Sequence, residues 1–227
     1  TPMQQIIEKY DPPNHRHFDD NRELCLIAVN LEDDSKFSNS TDLTSFVEDG
    51  TLTWKKPKGN WRIYRCGLSR NFGPHRDYIN MMDADSVKIL LDTVYEPHYS
   101  RYGEEFGKTI AGFFSDEPEL GNGGLYAQEN LLGTPQDLPW SRSLEEQLKT
   151  NLGPDWAKQL PLLWENNADP LLTANVRYTF MNLVSSLVEE CFSMQIGDWC
   201  EQRGVKYIGH VVEDENQHAR TATSLGH

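Results

Sequence analysis

Short apolar segments of strand length alternate along this chain with longer segments of helical periodicity, and the alternation restricts the folds open to it. Strands are predicted at residues 24–31, 61–68, 109–115 and 205–212. Helices are predicted at about residues 85–102, 143–151, 155–164 and 173–203. Because such alternation is typical of parallel sheets covered by helices, the sequence predicts a single α/β domain over residues 1–227.

Two of these segments carry more detailed predictions. The run at 24–31 is continuously apolar, which is typical of a strand buried on both faces in a parallel sheet. The helix over about 85–102 takes Asp85 or Ser86 as its N-cap. Pro97 predicts a break or kink just before it, since proline removes a helical hydrogen bond.

The number of strands limits the architecture. A (β/α)8 barrel has eight strands and typically about 250 residues. This chain has four predicted strands, and only 15 residues follow the last of them, with no helix to cover it. We therefore expect a partial or complete (β/α)8 TIM-barrel-type domain with parallel strands alternating with helices, part of a longer protein; an open α/β sheet is the alternative.

Composition excludes some partners. The formal net charge is −14, from 21 basic and 35 acidic residues, whereas a protein that tracks nucleic-acid phosphates needs basic patches. No apolar run approaches the roughly 20 residues that span a bilayer. We predict neither a nucleic-acid nor a membrane partner, and leave open a cytoplasmic or exported location for a soluble protein.

The four cysteines contain no CxxC pair. Cys25 and Cys66 lie inside strand-like runs, while Cys191 and Cys200 are nine residues apart on one helical stretch. A helix rises about 1.5 Å per residue, which separates the latter two too far for a bridge. All four are predicted to be reduced, mostly buried thiols, and the spacing suits no zinc site.

Polar residues follow three of the four predicted strands at their carboxyl ends, where β/α barrels place their functional groups. The candidates that bear chemistry are Asn71 and His75 after the second strand, Asp116, Glu117 and Glu119 after the third, and His210, Glu213 and Asp214 after the fourth.

Glu117 and Glu213 are the candidate catalytic carboxylates. Cleavage of a glycosidic bond needs one carboxyl group that protonates the leaving oxygen and a second that acts as nucleophile or activates water. Glu117 follows a strongly apolar strand, a setting that raises the pKa of a carboxyl group towards that of a general acid. Acidic residues also decorate strand-to-helix loops, so spacing alone leaves both roles open.

A metal site is the rival interpretation of the last strand end. His210, Glu213, Asp214, Glu215 and His218 offer mixed oxygen and nitrogen ligands. The order is not HExxH, and no helix is predicted there. No metal ligand is therefore assigned.

Several segments together resemble the barrel domain of α-L-rhamnosidase-like bacterial glycoside hydrolases, large multidomain enzymes related to the wider β/α-barrel glycosidases. The resemblance covers roughly residues 60–220 and rests on residues 78–83, 96–99, 102–110, 113–118 with its Asp-Glu-Pro, and 198–213 with its Gly-His pair. It implies that Glu117 takes the acid position, with Glu213 as the second functional carboxylate.

The same resemblance implies sugar contacts from Asn71, His75 and His210. Asp116, Glu119 and Asp214 complete the predicted substrate-binding set. Calcium occurs in some relatives, but its ligands find no match here, so no cofactor is predicted and calcium is kept as the alternative.

The leading hypothesis is a glycoside hydrolase of plant-type or rhamnose-containing glycans, using carboxylate acid/base chemistry. The alternatives are a non-catalytic carbohydrate-binding or scaffold fragment and a metal-dependent hydrolase. The expected partner is a carbohydrate substrate, together with homo-oligomers formed through exposed barrel edges.

Overall fold

The computed structural model describes residues 23–33, 39–68, 79–116, 118, 120, 132–133, 138–166 and 169–210. Asn71, His75, Glu117, Glu119, Glu213 and Asp214 lie outside these residues.

The amino-terminal part of the described chain is mostly β structure. Its strands and one short 3-10 turn are β1 (Glu23–Asn30), β2 (Thr41–Asp42), the turn Thr44–Phe46, β3 (Val47–Glu48), β4 (Thr51–Leu52) and β5 (Trp61–Gly67).

The rest is mostly helical, with two further strands. The order is α1 (Ala84–Leu90), a π turn (Leu91–Tyr95), α2 (Glu96–Tyr102), a 3-10 turn (Gly103–Glu105), β6 (Gly112–Ser115), α3 (Arg142–Leu152), α4 (Trp156–Gln159), a 3-10 turn (Leu160–Leu163), α5 (Pro170–Val188), a π turn (Glu189–Met194), α6 (Gln195–Glu201) and β7 (Lys206–Gly209).

β1 is the central strand of a sheet with the order β2–β1–β5, and both of its pairings are antiparallel. The predicted burial on both faces is confirmed, because Ile27 packs in the main core while Leu26 and Ala28 pack in a second cluster with Leu43. The parallel pairing predicted for this strand is wrong. Burial on both faces follows from the two clusters, and it carries no information about strand direction.

The helix predicted at about 85–102 exists as α1, the π turn and α2, and its N-cap differs from the prediction. Asp83 is its N-cap, and its carboxylate accepts hydrogen bonds at 3.0 Å from the backbone N–H groups of Asp85 and Ser86. The prediction of Asp85 or Ser86 as the cap is therefore wrong by two or three residues. Pro97 lies in the first turn of α2, directly after the π turn, so the chain stays helical through it.

The main core is built around the long helix α5 by elements that precede it and elements that follow it. Val176, Phe180 and Val184 of α5 are fully buried, and so are Leu144 and Leu148 of α3. The side chain of Ser141 caps α3 by accepting a hydrogen bond from the Leu144 N–H at 3.1 Å. None of the helices in the described part of the chain combines the length and apolar character that crossing a bilayer requires.

β6 and β7 form a separate two-stranded sheet, and they are parallel. Within the described ranges the strands form one three-stranded and two two-stranded sheets, and none of these sheets closes. The (β/α)8 architecture therefore stays a prediction. The parallel pairing of β6 and β7 is the strand arrangement that such a barrel requires.

Candidate active site at the ends of β6 and β7

The two parallel strands end side by side. Gly112 lies opposite Lys206, and Ser115 lies opposite Gly209, so the register runs without a shift over the whole pair. The backbone continues the pairing by one residue, because the His210 N–H donates a hydrogen bond to the Ser115 carbonyl at 3.0 Å. The residues that follow the two strands therefore leave the sheet at the same edge.

The two faces of this sheet differ. Phe113 and Tyr207 are partly buried and pack against the main core. Phe114 and Ile208, which lie opposite each other, are 55% and 63% exposed on the other face. Side chains alternate between the faces of a strand, so the sheet has a helix-covered face and an open apolar face.

Aromatic packing behind β6 holds the strand in place. The Phe113 ring stacks on Tyr95 with centroids 4.3 Å apart, and Trp199 and Phe106 lie 5.7 Å and 6.0 Å away. Burial raises the pKa of the Tyr95 phenol, so this hydroxyl stays protonated across the physiological range. The cluster joins β6 to the two helical segments around Tyr95 and Trp199.

Sequence reasoning did not identify this cluster. Tyr95 and Tyr99 are spaced so that they lie on one helical face, and the cluster could have been predicted from this spacing. The cluster supports the candidate site from behind, because its rings lie on the helix-covered face of the sheet.

Asp116 and His210 meet where the strands end. The His210 Nδ1 lies 3.3 Å from the Asp116 Oδ1, and the imidazole contacts the Phe114 ring edge-on with centroids 5.4 Å apart. These contacts place both polar side chains on the open face beside Phe114. The contact with Asp116 is made by Nδ1 of the imidazole and not by Nε2.

This pair is solvated. The side chains of Asp116 and His210 are 70% and 58% exposed, so their attraction contributes on the order of 0–1 kcal/mol. Both groups are therefore accessible, and both can bond to a hydroxyl-rich ligand.

An open groove of about 180 Å³ adjoins His210. It is lined by Pro118, Val188, Phe192, Ser193, Tyr207, Ile208, Gly209 and His210. Ligand pockets are commonly about 300–1,000 Å³, so this groove alone is smaller than a typical ligand site.

The structure thus brings together two of the predicted site residues, Asp116 and His210. The other predicted residues, including both candidate catalytic glutamates, fall outside the described ranges. Among the described residues, no group of three His, Cys, Asp or Glu side chains is placed to hold a metal ion. The proposed ligands that follow His210 in the metal hypothesis also lie outside those ranges.

Comparison with known proteins gives a distant relative. The chain is 22% identical over 176 residues to a protein of Formosa agariphila named "Putative beta-glucuronidase". The match covers 73% of this chain and 14% of the relative, so the chain spans only a small part of that protein's length. No family model matches the chain. This distant similarity suggests a glycoside hydrolase, and it does not single out α-L-rhamnosidases.

Proposed function

We propose that this chain contributes catalytic and substrate-binding groups to a glycoside hydrolase, with β6 and β7 as neighbouring strands of a β/α barrel. The observation that carries the proposal is the meeting of Asp116 and His210 at the carboxyl ends of two adjacent parallel strands. In β/α-barrel enzymes the active site is built at that end of the strands.

In this proposal Glu117 is the general acid and Glu213 is the second carboxylate. The acid gives its proton to the glycosidic oxygen as the bond to the anomeric carbon breaks. The second carboxylate then either attacks that carbon or removes a proton from the attacking water. Glu117 directly follows Asp116, which supports a place for it at the same edge of the sheet.

The remaining residues bind the sugar. Asp116 accepts hydrogen bonds from hydroxyl groups, and His210 offers Nε2 to another hydroxyl while its Nδ1 faces Asp116. We propose further sugar contacts from Asn71, His75, Glu119 and Asp214.

Two observations support different substrates. The name of the distant relative supports β-glucuronides. The Asp-Glu-Pro and Gly-His segments resemble those of α-L-rhamnosidases and support α-L-rhamnosides. Both belong in the same assay, since the proposed acid/base chemistry serves either sugar.

The test is the release of phenol from a panel of aryl glycosides that includes both sugars, using the longest natural protein that contains these residues. We expect turnover of at least one substrate, unchanged after chelation. Sugar binding without turnover would instead favour the carbohydrate-binding alternative. Stoichiometric metal together with activity lost on chelation would favour the metal-dependent hydrolase.

His210 has its own test. Replacing it by glutamine removes the imidazole but keeps a polar side chain, and the loss of one substrate hydrogen bond is worth about 1–1.5 kcal/mol. We expect a rise in KM of roughly tenfold with a smaller change in kcat. His98→Gln is the matched control, because His98 is an exposed histidine on the helix-covered side of β6, with its ring against the Val94 carbonyl and 6.3 Å from the Phe113 ring. Equal kinetics for the two variants would remove His210 from the binding site.

The open face also supports self-association of the isolated chain. Parallel sheets are normally covered on both faces, whereas Phe114 and Ile208 are exposed here. We propose that copies of the chain associate through this face. Light scattering at high concentration should show oligomers that a Phe114→Ser, Ile208→Thr double variant does not form; a monomeric unmodified chain would contradict the proposal.

A further inference from the structure

Cys25 and Cys66 face each other across β1 and β5. They are directly opposite residues in the antiparallel register. Opposite residues in such a pair have Cα atoms about 4.5–5.5 Å apart, and disulfides usually join Cα atoms about 4.4–6.8 Å apart. The backbone therefore already holds these two cysteines at the spacing that a disulfide needs.

The two thiols are in contact but differ chemically. The hydrogen bond between them raises the pKa of Cys25, as does burial, and the same hydrogen bond lowers the pKa of Cys66. The one S–H hydrogen of Cys25 is donated either to Cys66 or to the Ala157 carbonyl, which lies 4.0 Å from Sγ. In both cases Cys25 keeps its proton, and Cys66 is the sulfur that more readily becomes a thiolate.

Solvent access also favours Cys66 over Cys25 as the thiol that reacts first. Cys66 is 7% exposed and Cys25 is 1% exposed. Cys66 is the second-to-last residue of β5, and β5 is an edge strand of the β2–β1–β5 sheet within the part of the chain that the structure describes. Opening the end of an edge strand disturbs less structure than opening a central strand, so a small reagent reaches Cys66 first.

We propose that Cys25 and Cys66 form a dithiol–disulfide couple that is oxidised by exchange with a small-molecule disulfide of the glutathione type. The Cys66 thiolate attacks one sulfur of that molecule, its S–S bond breaks, and one small thiolate leaves and takes up a proton. Cys25 loses its proton to water and attacks the Cys66 sulfur, which expels the second small thiolate. The chain loses two hydrogen atoms, and the small disulfide is reduced to two thiols.

The resulting bond links the central strand of the sheet to β5. The closed loop contains β2, β3 and β4 together with Leu43 and the cluster packed around it. Because a cross-link restricts the unfolded chain, the oxidised protein should unfold at a higher urea concentration than the reduced protein.

The experiment exposes the native reduced protein to oxidised glutathione, quenches it with acid, and alkylates the remaining thiols in denaturant before peptide mapping. We expect Cys25 and Cys66 to escape alkylation and to be recovered in one linked peptide. Buried Cys200 is the internal control and should remain alkylated, while the less buried Cys191 reports whether glutathione reaches an accessible thiol.

Three results would overturn the proposal. One is that all four thiols remain alkylated; another is that a glutathione adduct persists on Cys66 beside a free Cys25. The third is that the linked peptide forms only when the chain is first unfolded in urea.

Variants separate the two steps. Cys25→Ala should trap glutathione on Cys66, and Cys66→Ala should leave Cys25 unmodified, whereas Cys200→Ala should still form the linked peptide. Glutathione trapped on Cys25 in the Cys66→Ala variant would contradict the assigned order of attack. Where a core variant does not fold, the peptide map of the unmodified protein decides the proposal by itself.

Discussion

Gly209 is the position where one added methyl group should disrupt the candidate site. It lies opposite Ser115 at the end of β7, and a Cβ placed there would sit 2.1 Å from the Ser115 carbonyl oxygen. Real Cβ atoms essentially never come closer than 3.0 Å to another heavy atom, so the two backbones would have to separate by about 0.9 Å. The clashing Ser115 oxygen is a backbone atom, so a change of side-chain rotamer cannot relieve the contact.

The cost of Gly209→Ala has two parts. Overpacking of this kind typically costs about 1–3 kcal/mol. Separating the strands also weakens the hydrogen bond from the His210 N–H to the Ser115 carbonyl, which contributes about 1 kcal/mol. We expect the free energy of unfolding to fall by about 2–4 kcal/mol, and the contact between His210 and Asp116 to be lost.

The assay is urea unfolding followed by fluorescence, with Gly197→Ala as the matched control. Gly197 lies within α6, and a Cβ added there has no atom within 4 Å apart from its chain neighbours and the backbone of its own helix. Alanine is a better helix former than glycine, so the control should be more stable by about 0.5–1 kcal/mol. If Gly209→Ala were as stable as the unmodified protein, the close pairing of β6 and β7 described above would be wrong.

Two further predictions concern the core and the support of β6. Phe180→Ala should lower the free energy of unfolding by about 3–5 kcal/mol, because removing this fully buried ring leaves a cavity. Tyr178→Ala, at a 71% exposed position of the same helix, should change the free energy of unfolding by less than about 0.5 kcal/mol. Equal effects of the two substitutions would contradict the burial assigned to α5. Glu96→Ala should lower the free energy of unfolding by about 1–3 kcal/mol, because the Glu96 carboxylate accepts hydrogen bonds from the Trp199 indole N–H at 2.7 Å and the Arg203 guanidinium at 2.6 Å. Glu96→Gln keeps an acceptor, so it should lower the free energy of unfolding by less in the same urea titration. The reverse order would refute this role of Glu96.

Local elements were predicted well where their signal lies within a few residues. The alternation of residues 61–68 predicted β5, and the helix predicted at 143–151 is found at Arg142–Leu152. The π turn at Leu91–Tyr95 was not predicted, because Pro97 disfavours a regular helix without specifying how the chain adapts.

Pairings between distant segments could not be predicted in the same way. Nothing near Cys25 in sequence indicates that Cys66 will lie opposite it, because register depends on the whole of β1 and β5. Asp116 and His210 were each predicted from a strand end. Their contact depends on β6 and β7 being neighbours, although about 90 residues separate them along the chain.

Glu117 is the general acid in the proposed mechanism, and the dependence of rate on the leaving group tests this role directly. A general acid matters most when the leaving oxygen is basic, and it contributes roughly 10²–10⁴-fold to the rate. For Glu117→Gln we predict a loss of kcat/KM in that range on aryl glycosides with poor leaving groups and a much smaller loss on dinitrophenyl glycosides, while Glu119→Gln slows both equally and less. An equal loss on both kinds of substrate in Glu117→Gln, or unchanged turnover, would contradict the assignment.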